Sequence, residues 1–245
     1  MNSETNPSIR IFSDPLELAR AVAREWVAAA REDSGHPFCV ALSGGKTPRL
    51  LFKELSRPAT LRSIPWQRVH IFWGDERCVP PDHPESNFKM AWDSLLKYVP
   101  IPQEHIHRIR GEADPLEESQ RYAAELRQVL EPKEGLPCFD WILLGIGSDG
   151  HTASLFPGQA GETEPLGICT VLQHPETGQN RISLTLEMIN RAHRTLFLVA
   201  GMDKAETVSE IMNNPERCKH FPAVQVRGKK VEWYLDQQAS SKLGK

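Results

Sequence analysis

Short, unbroken apolar runs alternate with amphipathic stretches along this chain, and that alternation limits the fold more than any other feature. The runs are "PFCVAL" (37–42), "RVHIFW" (68–73), "FDWILLGIG" (139–147), "RTLFLVAG" (194–201) and "VEWYLD" (231–236), with "RISLTL" (181–186) a further strand-like piece. A strand with one wet face alternates apolar with polar residues; most of these do not, so both their faces must be covered. Between them lie helical patterns. "SDPLELARAVAREWVAAARED" (13–33) opens with Ser-Asp-Pro and puts Leu18, Val22 and Trp26 on one face. "TPRLLFKEL" (47–55) places Thr47 as N-cap and Pro48 at the first helical position. "PESNFKMAWDSLLKYV" (84–99), "DPLEESQRYAAELRQVL" (114–130) and "DKAETVSEIMNN" (203–214) also read as helices. Strands in alternation with helices predict an α/β protein: a single-domain, Rossmann-like α/β/α sandwich with a mostly parallel sheet. The whole span 1–245 reads as one domain, since no repeat, low-complexity tract or linker divides it. Residues 157–167 read as a surface loop and residues 1–8 as a flexible tail.

Bulk properties exclude several classes. A net charge of −3 gives no basic surface for nucleic acid. The polar start has no signal-peptide pattern, and no apolar run reaches membrane-span length, so no membrane partner is expected. The 5 cysteines are odd in number and lack a C-x-x-C pair, which suits reduced thiols in the cytoplasm. "HIH" (105–107) puts two histidines on one strand face, but no H-E-x-x-H occurs; no metal site is expected. His36, His70, His83, His174, His193 and His220 read as surface or structural, and Trp66, Trp73, Trp92 and Trp141 as core.

Ligands of such sheets bind beyond the carboxyl ends of the strands. Three polar stretches fall there: "SGGKTP" (43–48), "GDERCVPPDHPESN" (74–87) and "GSDGH" (147–151). Gly145 to Gly150 spell G-x-G-x-x-G, yet Pro157 cuts any following helix short and Asp149 would set a carboxylate where a pyrophosphate belongs, so a dinucleotide loop is excluded. His151 can take a proton from water near neutral pH while Asp149 fixes its tautomer. Equally, Asp149 can cap a short helix beside a solvated His151. "SGGKT" lacks the glycine a P-loop needs at Val40, leaving a turn and helix N-terminus that suit one phosphate, or a plain capped turn. Arg77 can meet a substrate oxygen or simply neutralise Asp75.

In their order, "LSGGKTP", "FWGDERCVPPDHPESN", "LLGIGSDGHTASLFPG", "RISLT" and "GMDKA" resemble the 6-phosphogluconolactonase family, relatives of the glucosamine-6-phosphate deaminases with the same sugar-phosphate isomerase/deaminase-like fold. The resemblance implies that Ser43, Gly44, Gly45 and Thr47 form a phosphate-side loop and that Arg181 and Lys204 hold the sugar phosphate. It places Asp75 and Arg77 at the sugar end and Asn87 at the border of the crevice. The implied reaction is hydrolysis of 6-phospho-D-glucono-1,5-lactone, the second step of the oxidative pentose phosphate pathway. Water activated by His151 attacks the lactone carbonyl, Asp149 orients the imidazole, and Arg77 is the candidate donor to the carbonyl oxygen. Neither metal nor cofactor is implied, the partner is the small-molecule lactone, and a monomer is expected.

Deaminases of this kind read Asp-Glu-Tyr where this chain has Asp75-Glu76-Arg77, and Asn-Glu-Pro where it has Leu155-Phe156-Pro157. Both departures favour the lactonase branch, while the retained Asp75 keeps aldose–ketose isomerase chemistry as an alternative. A non-catalytic sugar-phosphate sensor is a second alternative, disfavoured because one helix ahead of the first strand leaves no room for a DNA-binding unit.

Overall fold

The computed structural model describes residues 8–133, 135–159 and 167–244. In chain order the strands are β1 (Ser8–Phe12), β2 (Phe38–Leu42), β3 (Val69–Trp73), β4 (Asp75–Arg77), the short pair β5 (Pro132–Lys133) and β6 (Leu136–Pro137), β7 (Trp141–Leu144), β8 (Cys169–Gln173), β9 (Asn180–Leu184), β10 (Arg194–Val199) and β11 (Val231–Asp236). The helices are α1 (Pro15–Arg31), α2 (Lys46–Leu55), α3 (Pro58–Leu61), α4 (Asn87–Ser94), α5 (Pro115–Val129), α6 (Leu186–Asn190) and α7 (Ala205–Asn213). Six strands pair in the order β1-β11-β10-β7-β2-β3, every neighbour parallel. Every residue of β2 and β7 is buried, as their unbroken apolar runs require.

Local chemistry sets the helices on this sheet. Asp14 caps α1 by accepting from the N–H groups of Leu16 (2.8 Å) and Glu17 (2.9 Å), and Pro15 supplies the pre-set first helical residue. Trp26 on the buried face of α1 meets Phe38 and Trp141 edge-on at 5.6 and 6.2 Å between ring centroids. These contacts pin α1 to the starts of β2 and β7, the two strands whose far ends carry the polar loops.

From β2 the chain steps outward through α2 to β3 at one edge, whereas β7, β10 and β11 run the other way. The direction therefore reverses between β2 and β7, which pair with Val40 opposite Trp141 and Ala41 opposite Ile142. A crevice opens beyond the carboxyl ends at such a switch point.

Several expectations need correction. A strand, β1, precedes the first helix; it is mostly exposed and pairs with β11. Ser8 thus belongs to the sheet, and residues 1–7 of the expected tail lie outside the described residues, as do residues 160–166 of the expected loop. "RISLT" does not join the main sheet. It forms β9 of a second, antiparallel sheet in the order β4-β9-β8. The chain leaves the main sheet after Trp73, whose backbone N–H donates to the Tyr122 hydroxyl (2.9 Å) and whose carbonyl accepts from it (3.0 Å). One buried phenol on α5 thereby satisfies the backbone where strand pairing ends.

Thr47 is not an N-cap and Pro48 is not the first helical residue: α2 starts two residues earlier, at Lys46, capped by Gly45 without any side-chain hydrogen bond. The helix expected over 84–99 shrinks to α4 and a following 3-10 turn, Leu96–Tyr98. Trp66, Trp73 and Trp141 are buried, but Trp92 is 44% exposed on the outer side of α4, because so short a helix gives the pattern too few turns to set its phase. Among the described residues, no helix is long and apolar enough to cross a membrane.

Candidate active site

The loop after β2 is shaped by close approach. A Cβ on Gly44 would lie 2.1 Å from Asn87 Oδ1, so only glycine lets the amide of α4 pack here. Gly45 has φ +107°, a conformation that side chains disfavour. Ser43 is buried, and its hydroxyl has no hydrogen-bond partner among the described residues. The leading N–H groups of α2 have no side-chain acceptor either.

β4 brings the "DER" residues into register with β9. Asp75 pairs with Ser183 and Arg77 with Arg181, so all four side chains share one face of the small sheet. Two guanidinium groups directly opposite one another repel. Burial and then Arg77 depress the pKa of Arg181, and the Nε of each arginine is buried with no partner among the described residues. Arg77 Nη1 donates to the carbonyl of Glu85.

Glu76 points to the opposite face and is a site residue to which the sequence motifs assigned no role. Its buried carboxylate accepts from the backbone N–H of Arg77, Asn87 and Phe88, each at 2.8 Å, and from the Ser86 hydroxyl at 3.0 Å. It sits at the N-terminus of α4, where the helix dipole favours an anion. Burial pushes this carboxyl up, and the backbone donors oppose the rise. By tying β4 to α4, Glu76 sets Asn87, whose Nδ2 donates to the Asp75 carbonyl at 3.0 Å and lies 3.4 Å from its carboxylate. The other Asp75 oxygen accepts from Ser154 Oγ at 2.6 Å.

After β7 the chain folds tightly on itself. Gly147 N donates to His151 O (2.9 Å), and Gly150, with φ +80°, donates to Gly147 O (3.1 Å). His151 Nδ1 meets Asp149 Oδ1 at 2.6 Å, and the same oxygen accepts from His151 N at 3.2 Å. No helix follows; Thr152 and Leu155 close a tight turn instead, so Asp149 serves the imidazole and caps nothing. Burial works against the Asp149 charge, but His151 outweighs it and holds the carboxyl below its usual range. With Nδ1 held, Nε2 is the nitrogen left to accept a proton. The Phe156 ring packs on the imidazole at 4.9 Å.

Lys204 lies beyond β10, past the Gly201 turn, with its ammonium 3.4 Å from Asp203. The structure shows no contact between Lys204 and the arginine pair. Its link to the crevice runs through α7, where the Thr207 hydroxyl donates to Ser148 O at 2.8 Å. Away from the crevice, His107 does gain an acidic neighbour, Glu125 of α5 at 2.7 Å, which its distance in sequence concealed. The other His107 nitrogen meets His70 at 2.9 Å. No group of three or more His, Cys, Asp or Glu among the described residues is arranged to hold a metal.

Comparison with known proteins gives this crevice a family. The profile described as glucosamine-6-phosphate isomerases/6-phosphogluconolactonase matches residues 13–235. The chain belongs to that family. The 6-phosphogluconolactonase of Aggregatibacter actinomycetemcomitans is 42% identical over 234 residues, covering 95% of this chain and 98% of the relative. That of Haemophilus influenzae is 43% identical over 220 residues, covering 89% and 92%. The solved 6-phosphogluconolactonase of Trypanosoma brucei superposes with a TM-score of 0.85 at 30% identity, covering 98% of this chain and 99% of its own. Every crevice residue from Ser43 to Lys204 falls inside the span that matches the family.

One glycine tests the geometry of the histidine turn. A Cβ on Gly147 would come within 2.1 Å of His151 Nδ1 and 2.4 Å of Asp149 Oδ1. Gly147→Ala must therefore separate the pair, and its His151 ring resonances in NMR will lose the shift of an Nδ1–carboxylate hydrogen bond while the far-UV circular dichroism stays unchanged. Unaltered resonances would mean the pair is not packed as described.

Proposed function

We propose that this chain hydrolyses 6-phospho-D-glucono-1,5-lactone to 6-phosphogluconate. The observation that carries the reading is the His151–Asp149 pair at 2.6 Å, standing in the switch-point crevice to which Ser154 ties the arginine-bearing strand. Neutral His151 Nε2 takes a proton from water as the water oxygen attacks C1. The imidazolium, stabilised by ionised Asp149, then returns that proton to the ring oxygen as the C1–O bond breaks. The new carboxylic acid ionises into solvent.

The far end of the substrate is a dianion, which needs several charged donors. Arg77 and Arg181 offer two that repel unless an anion lies between them. On this reading Arg77 serves the phosphate instead of the carbonyl oxygen, for which the sequence made it a candidate. Ser43, Gly44, Gly45 and Thr47 at the open N-terminus of α2, together with Lys204, complete the phosphate side on the same reading. Asp75, fixed by Asn87 and Ser154, faces the sugar hydroxyls.

Phe156 favours the lactonase over the deaminase within the family. Its apolar ring occupies the contact with His151 that an acidic side chain would need for ring opening. Free thiols at Cys39, Cys78, Cys138, Cys169 and Cys218 support a cytoplasmic setting.

Freshly prepared 6-phosphogluconolactone, followed by acid release above the spontaneous rate, tests the reading. His151→Ala should lower kcat by about 10²–10⁴-fold, and a chelator should leave the parent rate unchanged. A parent rate no faster than background, or one abolished by chelator, would overturn it, and glucosamine 6-phosphate would be tried next.

The phosphate assignment has its own signature. Arg77→Ala, Arg181→Ala and Lys204→Ala should each raise KM by about 10- to 100-fold, as losing one charged hydrogen bond does. Their kcat should stay near the parent value, and hydrolysis of unphosphorylated gluconolactone should not change. A fall in kcat alone for Arg77→Ala would return that residue to the carbonyl oxygen.

A further inference from the structure

The His151 turn and the arginine-bearing strand come from different parts of the chain, and one side chain joins them directly. Ser154 is 1% exposed; its hydroxyl donates to Asp75 Oδ2 at 2.6 Å, and its backbone N–H reaches Ser183 Oγ at 3.4 Å. Asp75 and Ser183 are cross-strand neighbours beside Arg77 and Arg181. Ser154 therefore touches two of the three strands of the small sheet, β4 and β9, from the turn that presents the imidazole.

The turn itself is held in an unusual shape. Ala153, between His151 and Ser154, has φ +50° and is the one non-glycine residue with positive φ among the described residues. Such a conformation persists only where its surroundings impose it. Here Leu155 N donates to Thr152 O at 2.9 Å, Thr152 Oγ1 donates to Gly145 O at 2.8 Å, and Ser154 reaches across to Asp75. Thr152 anchors the turn to its own strand; Ser154 anchors it to the other sheet.

We propose that Ser154 is a positioning residue for hydrolysis, acting through Asp75 to set the spacing between the imidazole and the arginine pair. This rests on the lactonase reading, in which a substrate of fixed length spans a phosphate anchor and a reacting carbonyl. Misplacing a reacting group by 1 Å costs about 10²-fold in rate. Without the Ser154 hydroxyl, the phosphate grip is intact but C1 and the base no longer coincide.

Kinetics of Ser154→Ala test this. The variant should lose about 10- to 100-fold in kcat with KM within threefold of the parent, and Ser154→Thr, which keeps the hydroxyl, should recover most of the loss. In an Asp75→Ala background, Ser154→Ala should change kcat by less than about twofold, because the partner through which it acts is gone. If Ser154→Ala does not fold, Ser154→Cys, a similar shape with a weaker donor, takes its place with the same expectation. A kcat within twofold of the parent, or a loss fully additive with Asp75→Ala, would overturn the proposal.

NMR of the His151 ring needs no substrate and separates the two failures. Ser154→Ala should split or broaden resonances that are single in the parent. If the parent hydrolyses no lactone, the lactonase reading fails, and unchanged His151 resonances in the variant would then refute the Ser154 role independently.

Discussion

The pairing of β2 with β7 deep in a parallel sheet governs the rest of the molecule. Both strands are apolar throughout and covered on both faces, so neither can carry a polar side chain without burying it unpaired. Chemistry is displaced to where the strands end. Because chain direction reverses between these two strands, the loop carrying Ser43 to Gly45 and the turn carrying Asp149 and His151 emerge side by side without a helix between them. The small antiparallel sheet then delivers the arginines to the same crevice.

Within the crevice, the arrangement favours function at some expense of stability. Asp75, Glu76 and Arg181 are all buried, and Arg77 lies directly opposite Arg181. Each carboxylate is compensated locally: Glu76 by backbone donors at the start of α4, Asp75 by Ser154 and Asn87. Neither arginine forms an ion pair with a carboxylate among the described residues, and the proposed phosphate dianion would supply that charge. Sites that hold unbalanced charge or backbone strain in this way are ordinarily sites of binding or catalysis.

Much of this was legible before any coordinates. Unbroken runs such as "WILL" and "FCVAL" marked central strands, Asp14 marked the start of α1, and the glycine-hinged turn with His151 marked the crevice. What escaped notice depended on contacts remote in sequence. β1 is a short alternating segment with both isoleucines exposed, and pairing with β11 makes it a strand. "DER" reads as a loop until β9 is laid beside it, and the part played by Glu76 is invisible until α4, eleven residues on, turns its N–H groups back toward it. Thr47 has the right chemistry for a cap, but the helix starts two residues sooner, after Gly45 with its positive φ. In each case local pattern set the propensity and tertiary pairing decided.

The central claim is that one imidazole, oriented by an ionised carboxylate, activates water. The pH dependence of kcat/KM for 6-phosphogluconolactone tests it most directly. Because Asp149 is held below the usual carboxylate range, it stays ionised as the pair enters its working range, and the acid limb should report one proton on His151. The account predicts an acid limb of unit slope in the parent and its disappearance in His151→Gln, together with most of the rate. A limb that persists unchanged in His151→Gln, or a parent profile with no acid limb, would contradict it.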